Sequence, residues 1–127
     1  MTLKMYQIID FPSFFDKVKS QKLPFKTSYH LTILAQEVEK HLGFYQEKFR
    51  ELIMNYAKKD EEGNLVPSED GSGVMLAEET MQEAYSKLAE LRDLDVELPD
   101  IKISIDDLSE VELSIVEINV ILPFIKG

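Results

Sequence analysis

Apolar residues recur at helical spacing through the stretch between Thr27 and Asp60. Steps of four and three residues separate eight positions: Leu31, Ala35, Val38, Leu42, Tyr45, Phe49, Leu52 and Tyr56. Side chains at this spacing line one face of an α-helix, as they do where two helices pack together. The pattern predicts a long amphipathic helix over residues 27–59, roughly 45–50 Å long at the rise of an α-helix.

A second, shorter run of the same steps follows the long helix. Its apolar positions are Ala77, Met81, Ala84, Leu88 and Leu91. The run predicts a helix over residues 77–94, and the turn sequence Glu69–Gly73 between two apolar arms predicts a β-hairpin over residues 64–76. Because sequential helices with a short connection pack antiparallel, we expect a long antiparallel helical hairpin with the β-hairpin at its tip.

Segments near both ends of the chain show alternating apolar positions instead. Leu3 and Met5 begin a predicted strand over residues 3–9, and three alternating isoleucines predict a strand over residues 101–105. We expect these strands to pair, which would bring the N-terminal and C-terminal segments together in a small two-stranded sheet.

Two short helices complete the predicted fold. Pro12 suits the first turn of a helix over residues 12–20. Ser114 and Glu117 have the spacing of a capping box and favour a helix over residues 114–122, although the β-branched residues there leave a strand open. We expect a single domain over residues 1–127, with an α+β, mainly α fold.

The chain is acidic, and its charge limits its partners. Its 127 residues include 24 Asp and Glu and 14 Lys and Arg, which gives a net charge of −10. Such a surface repels phosphate groups, so we expect no direct binding to nucleic acid and none to membranes. The charge itself has two explanations, which are solubility and contact with a basic partner. The lack of cysteine, of a signal-peptide pattern and of a long apolar run favours a cytoplasmic protein.

No motif in the sequence predicts catalysis, a cofactor site or a metal site. His30 and His41 would lie about 16 Å apart along a helix, too far to share an ion. Glu37 and His41 would offer only two ligands, and the acidic run 60–64 has its glycine in the wrong place for a calcium loop. We therefore expect a non-enzymatic protein that uses no cofactor and no metal.

Six apolar residues are candidates for contact with a partner protein or with a second copy of the chain: Leu34, Phe44, Tyr45, Ile53, Phe124 and Ile125. The first four belong to the long helix, whose apolar residues spread beyond a single face. The last two follow a proline near the end of the chain, where they either pack or contact a partner.

Several segments together resemble a group of small bacteriophage proteins of unknown function. The resemblance covers about residues 20–125 and is carried by Leu23-Pro24-Phe25-Lys26, the long helix, the run Tyr56-Ala57-Lys58-Lys59-Asp60-Glu61-Glu62-Gly63-Asn64-Leu65, the shorter helix and the segment 96–105. It implies a small, acidic, non-enzymatic phage product in the host cytoplasm or on the virion. Two functions remain open at this stage: a structural or assembly accessory, and an acidic inhibitor of a host nucleic-acid enzyme or defence system.

Overall fold

The computed structural model describes residues 1–126 and is mainly helical, with one small antiparallel sheet. It divides into two compact units. The terminal unit comprises residues 1–43 and 95–126, and the central unit comprises Phe44–Leu94. The boundary after Gly43 falls within the long helix, so the expected single domain consists of two units that are described separately below.

The sheet of the terminal unit joins strand β1 (Thr2–Lys4) to strand β2 (Asp95–Glu97). The register pairs Leu3 with Val96, and the amino group of Met1 donates a 2.7 Å hydrogen bond to the carbonyl of Leu98. A two-stranded pairing of the terminal segments was predicted and is confirmed. The predicted partner of the N-terminal strand, residues 101–105, is wrong.

Residues 5–9 of the predicted strand 3–9 and the whole predicted strand 101–105 adopt other structures. After Lys4 the chain turns into the short helix α1 (Met5–Ile8), where the Gln7 side chain caps the start of the helix by accepting a 2.8 Å hydrogen bond from the Lys4 amide. Met5 and Ile8 of this helix are buried. Residues 101–105 form no strand. Ile103 instead makes an isolated parallel bridge to Ile125.

Aromatic side chains form the core between helices α2 (Phe11–Val18) and α5 (Ile115–Ile121). Phe11, Phe14 and Phe124 are all fully buried. The ring of Phe11 lies 5.7 Å from that of Phe14 and 6.4 Å from that of Phe124, both in edge-to-face geometry. Both short helices were predicted, over 12–20 and 114–122, and both are confirmed.

The capping box of α5 also anchors α5 to α2. The amide of Ser114 donates to Oε1 of Glu117 at 2.9 Å, and the amide of Glu117 donates to Oγ of Ser114 at 3.2 Å. The Nζ of Lys17 donates to the same Glu117 oxygen at 2.7 Å. These interactions lower the pKa of Glu117 from its ordinary 4.5 to about 2, and the hydrogen bond from Lys17 makes the largest contribution to this shift.

The stability of the terminal unit should therefore depend on pH through Glu117. Because its pKa is lower in the folded chain than in the unfolded chain, its contribution is fully present above pH 4.5 and is lost as the pH falls towards 2. In thermal unfolding, the wild-type chain should unfold at a higher temperature than Glu117→Gln at neutral pH, and this difference should shrink in acid. Glu110→Gln, which changes an exposed carboxylate, is the control. Parallel pH curves for the wild type and Glu117→Gln would contradict the assignment.

Helix α3 (Phe25–Tyr56) is the long helix that the apolar pattern predicted over residues 27–59. It starts directly after Pro24, which disfavours a helical conformation at the residue before it. Its buried residues all lie in the terminal unit and are Thr27, Leu31, Leu34, Val38 and Leu42. From Phe44 to Tyr56 no residue of α3 is buried. The apolar stripe is therefore covered along the first part of the helix and partly open along the last part.

The β-hairpin predicted over residues 64–76 is not a continuous ladder. Three isolated antiparallel bridges join Ala57 to Leu76, Lys59 to Leu65 and Pro67 to Val74. The structure here is thus a set of single bridges among three segments, and not one two-stranded hairpin.

Backbone hydrogen bonds close these three segments into a ring, which we call the backbone ring. The amide of Lys58 donates to the carbonyl of Met75, the amide of Met75 to that of Val66, and the amide of Val66 to that of Lys58, at 2.7, 2.8 and 3.1 Å. Two tight turns leave the ring, at Gly63 and Gly71, and both glycines have positive φ values of 83° and 74°.

Helix α4 (Met81–Arg92) follows the backbone ring through a single 3₁₀ turn, Glu78–Thr80. It is shorter than the predicted helix over residues 77–94, since the first turn is 3₁₀ and the chain leaves the helix at Asp93. Ala84 is its buried residue. Burial and a hydrogen bond to the Glu83 carboxylate raise the pKa of the Tyr56 phenol. This hydrogen bond joins the end of α3 to the start of α4.

Candidate functional site

Two of the six predicted partner-binding residues belong to the core. Leu34 is 0% exposed and Phe124 is 1% exposed. Leu34 lies on the covered stripe of α3, and Phe124 completes the aromatic core described above. Their prediction as partner contacts is wrong, because apolar spacing alone does not show which side of a helix the rest of the chain covers.

The other four predicted residues keep part of their surface in solvent. Phe44 is 47% exposed, while Tyr45, Ile53 and Ile125 are half-buried. The ring of Tyr45 stacks on that of Phe49 at 6.0 Å. Phe44 is thus the predicted residue that remains most available to a partner, and it opens onto a groove.

The groove lies within the central unit, between α3 and α4, and has a volume of about 270 Å³. We call it the α3–α4 groove, and its lining residues are Phe44, Lys48, Leu52, Lys87, Glu90, Leu91 and Leu94. We call its four apolar residues the floor and its three charged residues, all of which are exposed, the rim. A concave apolar floor with a charged rim is typical of sites that receive an amphipathic helix.

The rim of the groove carries charges of both signs. It comprises Lys48, Lys87 and Glu90. The Nζ of Lys48 lies 5.7 Å from the centre of the Phe44 ring, in position for a cation–π contact, and 3.3 Å from a carboxylate oxygen of Glu51. Lys48 is therefore held over the apolar floor and not directed away from it.

A second exposed apolar surface lies on α5 in the terminal unit. We call it the α5 face and define it by four exposed aliphatic residues, Ile115, Val116, Ile118 and Leu122. Ile115 is the most exposed of them, at 79%. Three of the four, Ile115, Ile118 and Leu122, follow the spacing of one helical stripe.

The sequence analysis missed the α5 face. The capping box identified the helix, but the sequence could not show which of its five aliphatic side chains would be covered: Val120 and Ile121 are buried, whereas Ile115 lies in solvent. One signal was available: five of the seven residues of α5 are aliphatic, more than a single face of so short a helix can hold.

Charged residues of both signs lie near the α5 face. Between Lys102 and Lys126 the sequence has no basic residue, and it has five acidic ones: Asp106, Asp107, Glu110, Glu112 and Glu117. Lys17 offsets the charge of Glu117. Asp10 and Tyr6 line a concave surface of about 340 Å³ together with Val116. The Nζ of Lys102 donates a 2.9 Å hydrogen bond to the carbonyl of Pro123, directly after Leu122.

Two ionisable side chains of the described residues, Asp70 and His41, lie against nearby polar groups. The carboxylate of Asp70 accepts hydrogen bonds from the amide and hydroxyl of Ser72 and from the hydroxyl of Ser68, and these lower its pKa to about 2. His41 lies 3.1 Å from the carbonyl of Glu97. Within residues 1–126 no group of three or more His, Cys, Asp or Glu side chains is placed to hold a metal ion.

Two further findings concern membrane-spanning helices and similarity to known proteins. In the part of the chain that the structure describes, no helix has the length and apolar character that a membrane crossing requires. Comparisons with protein-family models, curated proteins and solved structures find no match to this chain. Similarity therefore assigns neither a family nor an activity, and the two exposed apolar surfaces are the features that bear on function.

Proposed function

We propose that this chain is a non-enzymatic protein-binding protein, of the structural or assembly accessory type, and that the α3–α4 groove holds a helix of its partner. The observation that carries the proposal is the groove itself, with an apolar floor that includes Phe44 and Leu94 and a rim that includes Lys48 and Lys87. We take α4 and the last part of α3 as the antiparallel helical hairpin expected from the sequence.

The physical basis is the free energy of covering apolar side chains. Phe44 and Leu94 are each exposed over two fifths or more of their surface, and covering apolar area contributes about 25 cal/mol per Å². An incoming helix would place residues at positions i, i+3, i+4 and i+7 on the floor, as in other helix-in-groove complexes.

The resemblance to small phage proteins is the basis for proposing where this protein acts. On that resemblance we propose a phage accessory component that acts in the host cytoplasm or on the virion and binds a protein partner or further copies of itself. The exposed apolar surfaces on both units support a role in assembly, since an assembly component must contact more than one neighbour.

Substitutions in the groove should remove partner binding without unfolding the chain. We expect Phe44→Asp and Leu94→Asp to reduce partner capture at least about tenfold, because each places a charge on the apolar floor. The measurement is affinity capture from a bacterial lysate with quantitative mass spectrometry. Met54→Asp, which changes an exposed residue of α3 outside the groove lining, is the matched control. Circular dichroism checks that all variants fold.

The control decides how the capture result is read. Partners that bind the wild type and Met54→Asp but not the groove variants would support the proposal. Partners that bind all variants equally would contradict it, because the groove would then play no part in recognition.

A second candidate function is an acidic inhibitor of a host nucleic-acid enzyme or defence system. The segment 95–112 favours it, because it has seven acidic residues, all at least partly exposed, and one basic residue, Lys102. The acidic residues are Asp95, Glu97, Asp100, Asp106, Asp107, Glu110 and Glu112. An inhibitor of this kind would lose its captured partner at high salt and would not depend on Phe44 or Leu94. The same capture experiment, repeated at low and high salt, separates the two functions.

A further inference from the structure

We propose that the peptide bond between Asp70 and Gly71 is a site of spontaneous isoaspartate formation, and that Ser68 and Ser72 suppress this reaction in the folded chain. The inference goes beyond the proposed function and does not depend on it. It rests on the sequence of the second tight turn of the central unit and on the hydrogen bonds that hold the Asp70 carboxylate and the Gly71 amide there.

The sequence contains the reactive pair once. Asp70-Gly71 is the only Asp-Gly pair among the 127 residues, and the chain has no Asn-Gly pair. Glycine is the following residue that favours cyclisation most, because it has no side chain to block its amide nitrogen and its backbone rotates freely. Both residues are exposed, so the water that completes the reaction has access to them.

The reaction needs no partner other than water. The nitrogen of Gly71 forms a bond to the side-chain carboxyl carbon of Asp70, and the hydroxyl group of that carboxyl leaves with the amide proton as water. A second water molecule then opens the resulting five-membered succinimide. Opening at the main-chain carbonyl leaves the backbone running through the Asp70 side chain. The product is isoaspartate, and its mass equals that of the original chain.

The folded turn holds the carboxylate of Asp70 in a form that cyclises slowly. Its Oδ1 accepts three hydrogen bonds, from the amide of Ser72 at 3.0 Å and from the hydroxyls of Ser68 and Ser72 at 2.7 Å each. These bonds, of which that from the Ser72 amide has the largest effect, lower the pKa of Asp70 from 3.8 to about 2. The neutral acid, whose hydroxyl group can leave, is then roughly fiftyfold rarer at neutral pH than in an unfolded chain.

The amide of Gly71, which supplies the attacking nitrogen, is held as well. It donates a 3.0 Å hydrogen bond to the carbonyl of Ser68. Ser68 and Gly73 close the same turn, since the amide of Ser68 donates to the carbonyl of Gly73 at 2.9 Å and the amide of Gly73 donates to Oγ of Ser68 at 3.1 Å. Cyclisation has to turn the carboxylate and the amide towards each other, which breaks hydrogen bonds of this turn.

Isoaspartate at this position would weaken the backbone ring. It adds one methylene group to the backbone between Ser68 and Gly73, so the two hydrogen bonds that join these residues no longer fit. The bridge between Pro67 and Val74 lies directly beyond them and borders the ring. Formation of isoaspartate should therefore loosen the ring from this turn inwards.

Ageing of the whole chain tests the inference. The chain is incubated at neutral pH, folded or unfolded in urea, and isoaspartate is measured by enzymatic methylation and located by mass spectrometry with electron-transfer fragmentation. We expect isoaspartate at Asp70 to form at least about tenfold faster in the unfolded wild type than in the folded wild type. The folded double variant, Ser68→Ala with Ser72→Ala, should form it at least about fivefold faster than the folded wild type, because two of the three hydrogen bonds to Oδ1 are lost.

Matched variants separate the role of the serines from a general loss of structure. Ser20→Ala, which changes an exposed serine of the terminal unit, should age like the wild type. Asp70→Glu should give no isoaspartate signal at this position, because its cyclisation would require a six-membered ring. Ser72→Ala keeps both backbone hydrogen bonds of Ser68 and Gly73 and should still raise the rate, which keeps the test valid if the double variant opens the turn.

Three results would overturn the inference. Isoaspartate that forms equally fast in the folded and the unfolded wild type would show that the fold does not suppress the reaction. Serine variants that age as slowly as the folded wild type would show that Ser68 and Ser72 play no part. An unfolded chain that forms no isoaspartate would show that the site is not reactive. None of these results affects the proposed function, because partner capture is not measured.

Discussion

Replacing Phe14 with alanine is expected to lower the free energy of unfolding by about 3–5 kcal/mol, the range for removal of a fully buried aromatic side chain. Phe14 is 0% exposed and stands edge-to-face with Phe11, which in turn contacts Phe124. The substitution leaves a cavity at the centre of the packing between α2 and α5. Because α5 also carries the exposed α5 face, the same change should loosen that face.

Denaturant unfolding followed by circular dichroism measures this effect, and the chain offers a matched control. Phe25→Ala removes the same side chain at a position that is 92% exposed, and a change there should stay within about 0.5 kcal/mol of the wild type. Equal effects at the two positions would contradict the aromatic core described for the terminal unit.

Leu34→Ala is expected to lower the free energy of unfolding by about 2–5 kcal/mol and to leave the α3–α4 groove chemically unchanged. Leu34 is fully buried on the covered stripe of α3, with Leu31 and Val38 on the same stripe. Deleting most of its side chain removes packing from the terminal unit. The groove lining lies in the central unit and does not include Leu34.

The contrast with Phe44→Ala makes the Leu34 result specific. Phe44→Ala changes an exposed residue of the same helix, so it should alter stability by about 0.5 kcal/mol or less while it weakens partner capture. Unfolding and capture measured on both variants should therefore give opposite outcomes. A Leu34→Ala chain that is as stable as the wild type but loses its partner would contradict the burial of this residue.

The sequence predicted the helices of this fold better than its strands. The spacing of apolar residues identified α3 almost to its ends, because a helix of 32 residues repeats its pattern many times. Ser114 and Glu117 identified the start of α5, because a capping box is a local arrangement. At Met5, alternation over a few residues could not separate a strand from the single helical turn that Gln7 caps.

Tertiary contacts decided what the sequence left open. The eight-residue stripe included Ala35, whereas the structure buries Leu34 most deeply and leaves Ala35 half-buried. Both lie close to one face of the helix, and only the neighbouring segments determine which is covered. The groove was beyond prediction for the same reason, since Leu91 and Leu94 are ordinary apolar helix positions until their distance from α3 is known.

The backbone ring of Lys58, Val66 and Met75 has a practical consequence for labelling. Each of its three hydrogen bonds joins segments on either side of a turn, so the turns around Gly63 and Gly71 lie outside the closed structure. Exposed turns of this kind tolerate inserted residues well. A fluorophore or a short affinity handle introduced at either turn should report on the binding of a partner protein while the groove and the α5 face keep their native surfaces.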